Sequence, residues 1–295
     1  MADYILSCCS TADLTKEHFE ERDIHYVCFH YAIDGQEYMD DLGVSMSFEE
    51  FYARMAKGAD TRTSQVNISE YVTYFTQFLE KGLDIVHVCL SSGISGTINS
   101  ARNAALIVQE RFPDRKVYIV DSLGASSGYG LLMDTAATKR DEGLTAEELA
   151  AWIEENRLYL HHWFFSTDLS SYLPGGPISA ASAIIGTALK ICPLMTVDCE
   201  GKLSPREKIR TKKRAISEMA KTMMAHVQGG TDYSGKCIMS HSACREDAEA
   251  VAALIEEQVP QLKGKIEIND IGTLIGSHTG PGTVALFFMG DKRVD

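Results

Sequence analysis

Short apolar runs of strand length alternate with segments whose apolar residues recur at helical spacing. The clearest unit is Ile85-Val86-His87-Val88-Cys89-Leu90, then the small-residue turn Ser91-Ser92-Gly93-Ile94-Ser95-Gly96-Thr97, then a helical pattern over 98–108. The start of the chain repeats it, with the strand Tyr4-Ile5-Leu6, a second small-residue turn over 7–14 and a helix around 16–22. A strand follows at 26–32. Ser47-Phe48-Glu49-Glu50 supplies a capping box for a helix ending at Lys57-Gly58, and 59–66 reads as a polar loop. Asn67-Ile68-Ser69-Glu70 opens a helix to Leu79 and Gly82, 116–122 is a further buried strand, and 124–139 is helical. Thr145-Ala146-Glu147-Glu148 caps one more helix, to about Arg157. Strands alternating with helices at this spacing predict an α/β fold whose parallel sheet carries helices on both faces. Its polar turns then lie at the carboxyl ends of strands, where open α/β sheets bind ligands.

The texture changes after Tyr159, which places a domain boundary near Arg157. Trp163-Phe164-Phe165 is strand-like and is followed by Tyr172-Leu173-Pro174-Gly175-Gly176-Pro177 and an Ala-rich apolar stretch over 178–189. Met195-Thr196-Val197-Asp198 and Lys202-Leu203 form a hairpin across Cys199-Glu200-Gly201, and 206–226 reads as one long helix. Two β/α units remain, strand 237–241 with helix 246–257 and strand 266–271. The motif Gly272-Thr273-Leu274-Ile275-Gly276-Ser277-His278-Thr279-Gly280-Pro281-Gly282-Thr283 then runs into a strand over 284–289. Apolar positions Ile184, Ile185, Leu189 and Met195 are candidates to line a binding site, or plain core.

The 295 residues suffice for two domains, and 45% hydrophobic with 23% charged residues is an ordinary globular composition. With 41 acidic against 28 basic residues the net charge is −13, which opposes non-specific binding to nucleic acid or an anionic membrane surface. No run approaches the ~18 apolar residues of a membrane span, and Met1-Ala2-Asp3-Tyr4 begins no basic leader. A cytoplasmic protein without stable membrane insertion is expected. The eight cysteines contain no C-x-x-C pair and sit mostly in apolar runs, so they read as buried thiols and neither as a disulfide framework nor as a zinc site.

Candidate chemistry gathers at the turns. The loop 91–97 precedes a helix whose free N–H groups and positive dipole end favour an anionic group, and its hydroxyls add donors. It has no lysine or arginine and no Gly-Lys-Ser/Thr ending, so it suits a carboxylate better than a triphosphate. Ordinary capping is the plainer reading. Thr63 and Ser64, just before another helix start, carry the same two readings. Arg206, Arg210 and Arg214 recur every fourth residue, as a solvated helix face or as one that turns an arginine toward a ligand anion. His278, flanked by Ser277, Thr279 and a G-P-G turn, is placed to donate a ring N–H to an anion.

Thr63-Ser64-Gln65, Leu90-Ser91-Ser92-Gly93-Ile94-Ser95-Gly96-Thr97, Val120-Asp121-Ser122 and Gly276-Ser277-His278-Thr279-Gly280-Pro281-Gly282-Thr283 together closely resemble the DegV family of bacterial fatty-acid-binding proteins, of the type that serves as the binding subunit of a fatty acid kinase. The resemblance covers essentially the whole chain, in order. It implies an N-terminal α/β domain (1–157), a C-terminal α+β domain (158–295), and a tunnel between them for one long-chain fatty acid such as palmitate, stearate or oleate. Thr63 and Ser95 are implied as the principal carboxylate ligands, with His278, Thr279, Ser64 and Ser92 around the head group. Arg210 stands where the family has an arginine in a K-x-R segment.

The resemblance further implies an acyl carrier that presents its ligand to a separate fatty acid kinase, with no cofactor, no metal and no catalytic residue of its own. Two positions depart from the family. Gly175-Gly176-Pro177-Ile178-Ser179 stands for Gly-Gly-Arg-Ile-Ser, losing a cation associated with kinase docking or head-group activation, and Cys9 stands for the aspartate of a T-D-S turn. An alternative is a phosphate- or sugar-handling enzyme related to dihydroxyacetone kinase subunits. His278 would be its only candidate to hold substrate, and no acidic pair stands near the 91–97 loop. No G-x-S-x-G elbow supports a hydrolase, and the chain alone is expected to turn nothing over.

Overall fold

The computed structural model describes residues 4–169 and 191–294. Its strands are β1 (Tyr4–Cys9), β2 (His25–Val27), β3 (His30–Ile33), β4 (Gln36–Met39), β5 (Thr61–Ser64), β6 (Asp84–Cys89), β7 (Val117–Asp121), β8 (Leu160–Ser166), β9 (Cys192–Val197), β10 (Leu203–Ile209), β11 (Cys237–His241), β12 (Glu267–Asp270) and β13 (Thr283–Met289). Its α-helices are α1 (Lys16–Glu21), α2 (Phe48–Ala56), α3 (Ile68–Leu79), α4 (Thr97–Arg111), α5 (Ser126–Asp141), α6 (Ala146–Asn156), α7 (Lys212–His226), α8 (Arg245–Gln258) and α9 (Thr273–Thr279). The proline-glycine segment at 172–177, with Pro177, and the apolar positions Ile184, Ile185 and Leu189 lie outside the described residues.

β2, β1, β6 and β7 form a parallel sheet in that order. Alternation along each strand splits its side chains between two faces. Leu6, Cys8, Val86 and Val88 pack with Phe19 of α1, Leu131 of α5 and Ile153 of α6. Cys9, Ile85 and Cys89 pack on Tyr71 and Phe75 of α3 and Ala101 and Val108 of α4. The boxes at Asn67 and Thr145 both close, the cap oxygen accepting from the N3 backbone N–H and the N3 glutamate accepting in return.

The second sheet runs β10-β9-β8-β13-β11-β12 and is antiparallel except for the β11–β12 pair. One face, with Trp163, Phe165, Leu286 and Phe288, packs on Met219 and Met223 of α7 and Val251 and Ile255 of α8. On the other face, Phe164, Ala285 and Phe287 share a core with α5. Helix α5 therefore lies between the two sheets, which is why it is buried almost all round and its sequence shows no single apolar stripe.

Three readings of local structure are corrected. The expected strand 26–32 is two strands in different sheets, since β3 pairs with β4 and β5 in a small antiparallel sheet. The expected loop 59–66 contains β5. The expected helix 206–226 begins only at Lys212, where the Thr211 hydroxyl accepts from the Arg214 N–H. Arg206 lies on β10, Arg210 follows it and Arg214 is in the first turn of α7, so the three share no helix face. The hairpin across 199–201 forms as expected, with Val197 opposite Leu203.

Candidate functional site

A cavity of about 830 Å³ opens where the carboxyl ends of the parallel strands, the small antiparallel sheet, α9 and the inner face of the second sheet meet. Its apolar wall includes Phe29, Leu90, Phe164, Leu203, Leu274 and Phe287. Part of its polar wall is drawn from three distant segments: Thr63, Ser64 and Gln65; Ser95 and Gly96; His278 and Thr279. Large, mainly apolar and with a few convergent polar groups, it has the make-up of a small-molecule site.

Each polar group is held by its own element. Thr63 is the third residue of β5, opposite Tyr31 of β3. His278 lies on α9, a helix that the glycines of its motif do not announce. Its hydroxyls support it by bonding back one turn, Ser277 to the Thr273 carbonyl at 2.8 Å and Thr279 to that of Ile275 at 3.2 Å. The Tyr52 hydroxyl of α2 donates to the Ile271 carbonyl at 2.7 Å, anchoring the approach to α9. Thr63 Oγ1 and His278 Nε2 meet at 2.9 Å. Burial lowers the His278 pKa from its ordinary value, so the ring is neutral at pH 7.

In the 90–96 loop, Ser95 Oγ accepts from the Thr97 N–H at 3.2 Å, which leaves its own proton for an acceptor in the cavity. Helix α4 begins after Gly96, a cavity-lining residue that gives no side-chain cap, so the positive end of its dipole lies at the cavity wall. Ser91 donates to the Gly201 carbonyl of the β9–β10 turn at 2.7 Å. A Cβ on Gly93 would stand 2.6 Å from the Gly201 carbonyl carbon, so this backbone-to-backbone contact at the cavity's edge requires glycine.

Behind α9 two carboxyls are buried. Asp13 accepts from Ser126, a cavity-lining residue, and Asp40 accepts from Ser10 at 2.7 Å and Thr273 at 2.6 Å. Burial pushes both up from the usual carboxylate range, and their mutual repulsion adds to the rise of Asp13. Cys9 is also buried, 3.3 Å from the Tyr71 hydroxyl.

Of the residues picked from sequence, Thr63, Ser64, Ser95, His278 and Thr279 line the cavity together. Ser92 is exposed, its N–H donating to Asp121 at 3.2 Å, and Arg210 is exposed after β10; neither is among the lining residues. Met195 is buried in the shared core. Sequence reasoning passed over Gln65, Ser126, His162 and Lys202, which do line it. Lys202, paired with Glu200, reaches the cavity from the hairpin; its place beside the hairpin turn was the available signal. His162, buried on β8, has its pKa pushed well down by burial.

The DegV family model matches residues 9–291. The chain belongs to the DegV family. A DegV domain-containing protein of Clostridium perfringens is 34% identical to this DegV chain over 293 residues, covering 99% of both. Among solved structures, a DegV protein of Thermus thermophilus described as binding fatty acid is 26% identical, with a TM-score of 0.84 over 98% of this chain and 99% of that one. A Thermotoga maritima protein described as revealing fatty acid binding function is also 26% identical, with a TM-score of 0.76 over 99% and 100% of the two chains. No helix among the described residues of this DegV chain is long and apolar enough to cross a membrane.

Proposed function

We propose that this DegV chain binds one long-chain fatty acid in the cavity, with the carboxylate on Thr63, Ser95 and His278 and the tail along the apolar wall. The domains would divide near Arg157, as 1–157 and 158–295, with the ligand between them. The observation that carries the reading is the Thr63–His278 contact in the same cavity as the open Ser95 hydroxyl, with Lys202 also on the wall and Phe, Leu and Ile side chains supplying most of the remaining surface. The fatty acid binding described for the Thermus and Thermotoga relatives supports it.

The magnitudes agree. Burying roughly 15 methylenes at about 0.8 kcal/mol each gives roughly 12 kcal/mol of gross driving force before ordering costs. Three charge-assisted hydrogen bonds at about 1.5–3 kcal/mol each mostly offset desolvation of the carboxylate. The tail sets affinity and the head sets register. The chain acts as an acyl carrier that hands its ligand to a fatty acid kinase, with Thr279 and Ser64 supporting the head group.

Mass spectrometry of the protein purified from a bacterial host, native and after organic extraction, tests this. Wild type is expected to carry a saturated or unsaturated fatty acid that a Thr63→Ala/Ser95→Ala variant loses. A wild type that carries none and takes up none when offered would overturn the reading and favour a phosphorylated or sugar-like ligand at the same loops.

A further inference from the structure

Away from the cavity, two imidazoles and a carboxylate converge. His161 is on β8, His226 is the last residue of α7, and Asp291 lies two residues beyond β13. Pairing of His161 with Phe288 brings the chain after β13 past β8, and the Asp291 N–H donates to the His226 carbonyl at 2.9 Å. Asp291 Oδ1 lies 2.9 Å from His161 Nε2 and 3.1 Å from His226 Nδ1, and one ligand atom from each of the three residues falls within 4.8 Å of the others. A Cβ on Gly290 would stand 2.5 Å from the His226 carbonyl oxygen and 2.7 Å from the His161 ring, so glycine is what lets the turn come this close. The rings are fixed by stacking, His161 on Phe288 at 5.2 Å and on His226 at 5.0 Å, and His226 on Trp163 at 5.5 Å.

We propose that His161, His226 and Asp291 form a binding site for a divalent transition-metal ion of the zinc, nickel or copper type. Two imidazole nitrogens and one carboxylate are the donors such ions prefer, whereas magnesium and calcium prefer oxygen alone. Metal–ligand bonds of about 2.0–2.1 Å in a tetrahedron set the donors roughly 3.3 Å apart, close to the two Asp291 Oδ1 contacts but inside the 4.8 Å span of the three donors, so binding draws the imidazoles together and displaces the His161 Nε2 bond to the Asp291 carbonyl at 2.8 Å. The Asp291 side chain is 63% exposed and can move, and that exposure also gives an ion access and leaves room for water as a further ligand.

The site has a built-in reporter. The Trp163 indole N–H donates to His161 Nδ1 at 3.3 Å, which in the metal-free chain leaves the ring proton on Nε2, donated to the Asp291 backbone carbonyl at 2.8 Å. A metal on Nε2 requires the other neutral tautomer, reached by proton exchange through solvent, with the ring proton on Nδ1 and the Trp163 bond given up. The ion would tie together β8, the end of α7 and the chain leading to Arg293. Arg293 is buried and donates to the carbonyls of Val197 and Asp198 at the hairpin and of Leu123 and Arg157 across from it.

The test is titration of the full-length, tag-free, chelator-stripped protein with Zn²⁺ and Ni²⁺ separately, and with Mg²⁺ as the hard-ion control. Tryptophan fluorescence and the thermal midpoint are followed. Zn²⁺ and Ni²⁺ are expected to saturate at one equivalent in the micromolar range, change the emission and raise the midpoint, while Mg²⁺ does neither. His226→Ala and Asp291→Asn, with native circular dichroism, should each weaken binding about tenfold or more. Trp163→Phe should lose most of the fluorescence change but keep the metal-dependent rise in midpoint. Binding that is unchanged in the His226 and Asp291 variants, as capture by thiols would give, or no saturable binding by wild type, overturns the proposal.

Discussion

Thr63 and His278 stand 215 positions apart in the chain and meet at 2.9 Å in the cavity wall, one on a four-residue strand and the other on a seven-residue helix. The pair is neutral, and each member can turn a proton toward an anion.

The titration of His278 follows. Burial puts its folded pKa below the ordinary 6.5, so the unfolded chain takes the proton first and the group costs stability as pH falls below 6.5. A carboxylate within reach favours the imidazolium and reverses the shift. By NMR the His278 ring should titrate below 6.5 in the free protein and at higher pH once fatty acid is bound. An unchanged midpoint would place the head group elsewhere.

Thr63→Val removes one hydroxyl and keeps the shape. With the bond to a carboxylate worth about 1.5–3 kcal/mol, the Kd for fatty acid should rise roughly 10- to 150-fold, and Thr63→Ser should restore most of it. Calorimetry checks both variants.

An ion cluster around one buried carboxylate ties α1 and α5 to the start of β11. Asp134, 1% exposed, lies 3.1 Å from His18 Nε2, 3.1 Å from Arg22 Nε, and pairs with Lys236. Burial raises the Asp134 pKa, but the bonds from His18 and Lys236 outweigh it and hold the carboxyl at about 2. Its bonds with Asp134 and Glu267 lift His18 to about 9. The His18 contribution to stability is therefore full below pH 6.5 and lost as pH rises through about 9. That of Asp134 is full above 3.8 and lost as pH falls through about 2. Urea unfolding should show both limbs. Asp134→Asn should cost about 1–3 kcal/mol, because its cationic partners stay partly in water, and flatten them.

Gly93→Ala forces the 90–96 loop off the hairpin turn, since its Cβ would meet the Gly201 carbonyl at 2.6 Å. A loss of about 1–3 kcal/mol in denaturant unfolding and faster release of bound fatty acid are expected. Release at the wild-type rate would mean that this contact does not guard the ligand.

What the sequence made legible was whatever local chemistry decides. The caps at Asn67 and Thr145, the parallel β/α alternation and the hairpin at 199–201 all depend on near neighbours. β5 was hidden because Thr61-Arg62-Thr63-Ser64 has no apolar alternation and becomes a strand only by pairing with β3. The true start of α7 was masked by basic residues that suit a helix and an exposed strand equally; Pro205 and the cap at Thr211 were the discriminating signals. Gathering Thr63, Ser95 and His278 needs three long-range packings, so the residues were readable as motifs but their meeting was not. The same holds for Lys202 and His162, whose facing depends on the second sheet.

The most direct measurement is the ¹³C NMR spectrum of carboxyl-labelled palmitate bound to the protein, taken across pH for wild type and for Thr63→Val and Ser95→Ala. The account predicts a single bound resonance whose chemical shift moves in each variant and whose titration is displaced from that of the fatty acid in solution. A bound carboxyl that titrates as in water and is indifferent to both substitutions would contradict it.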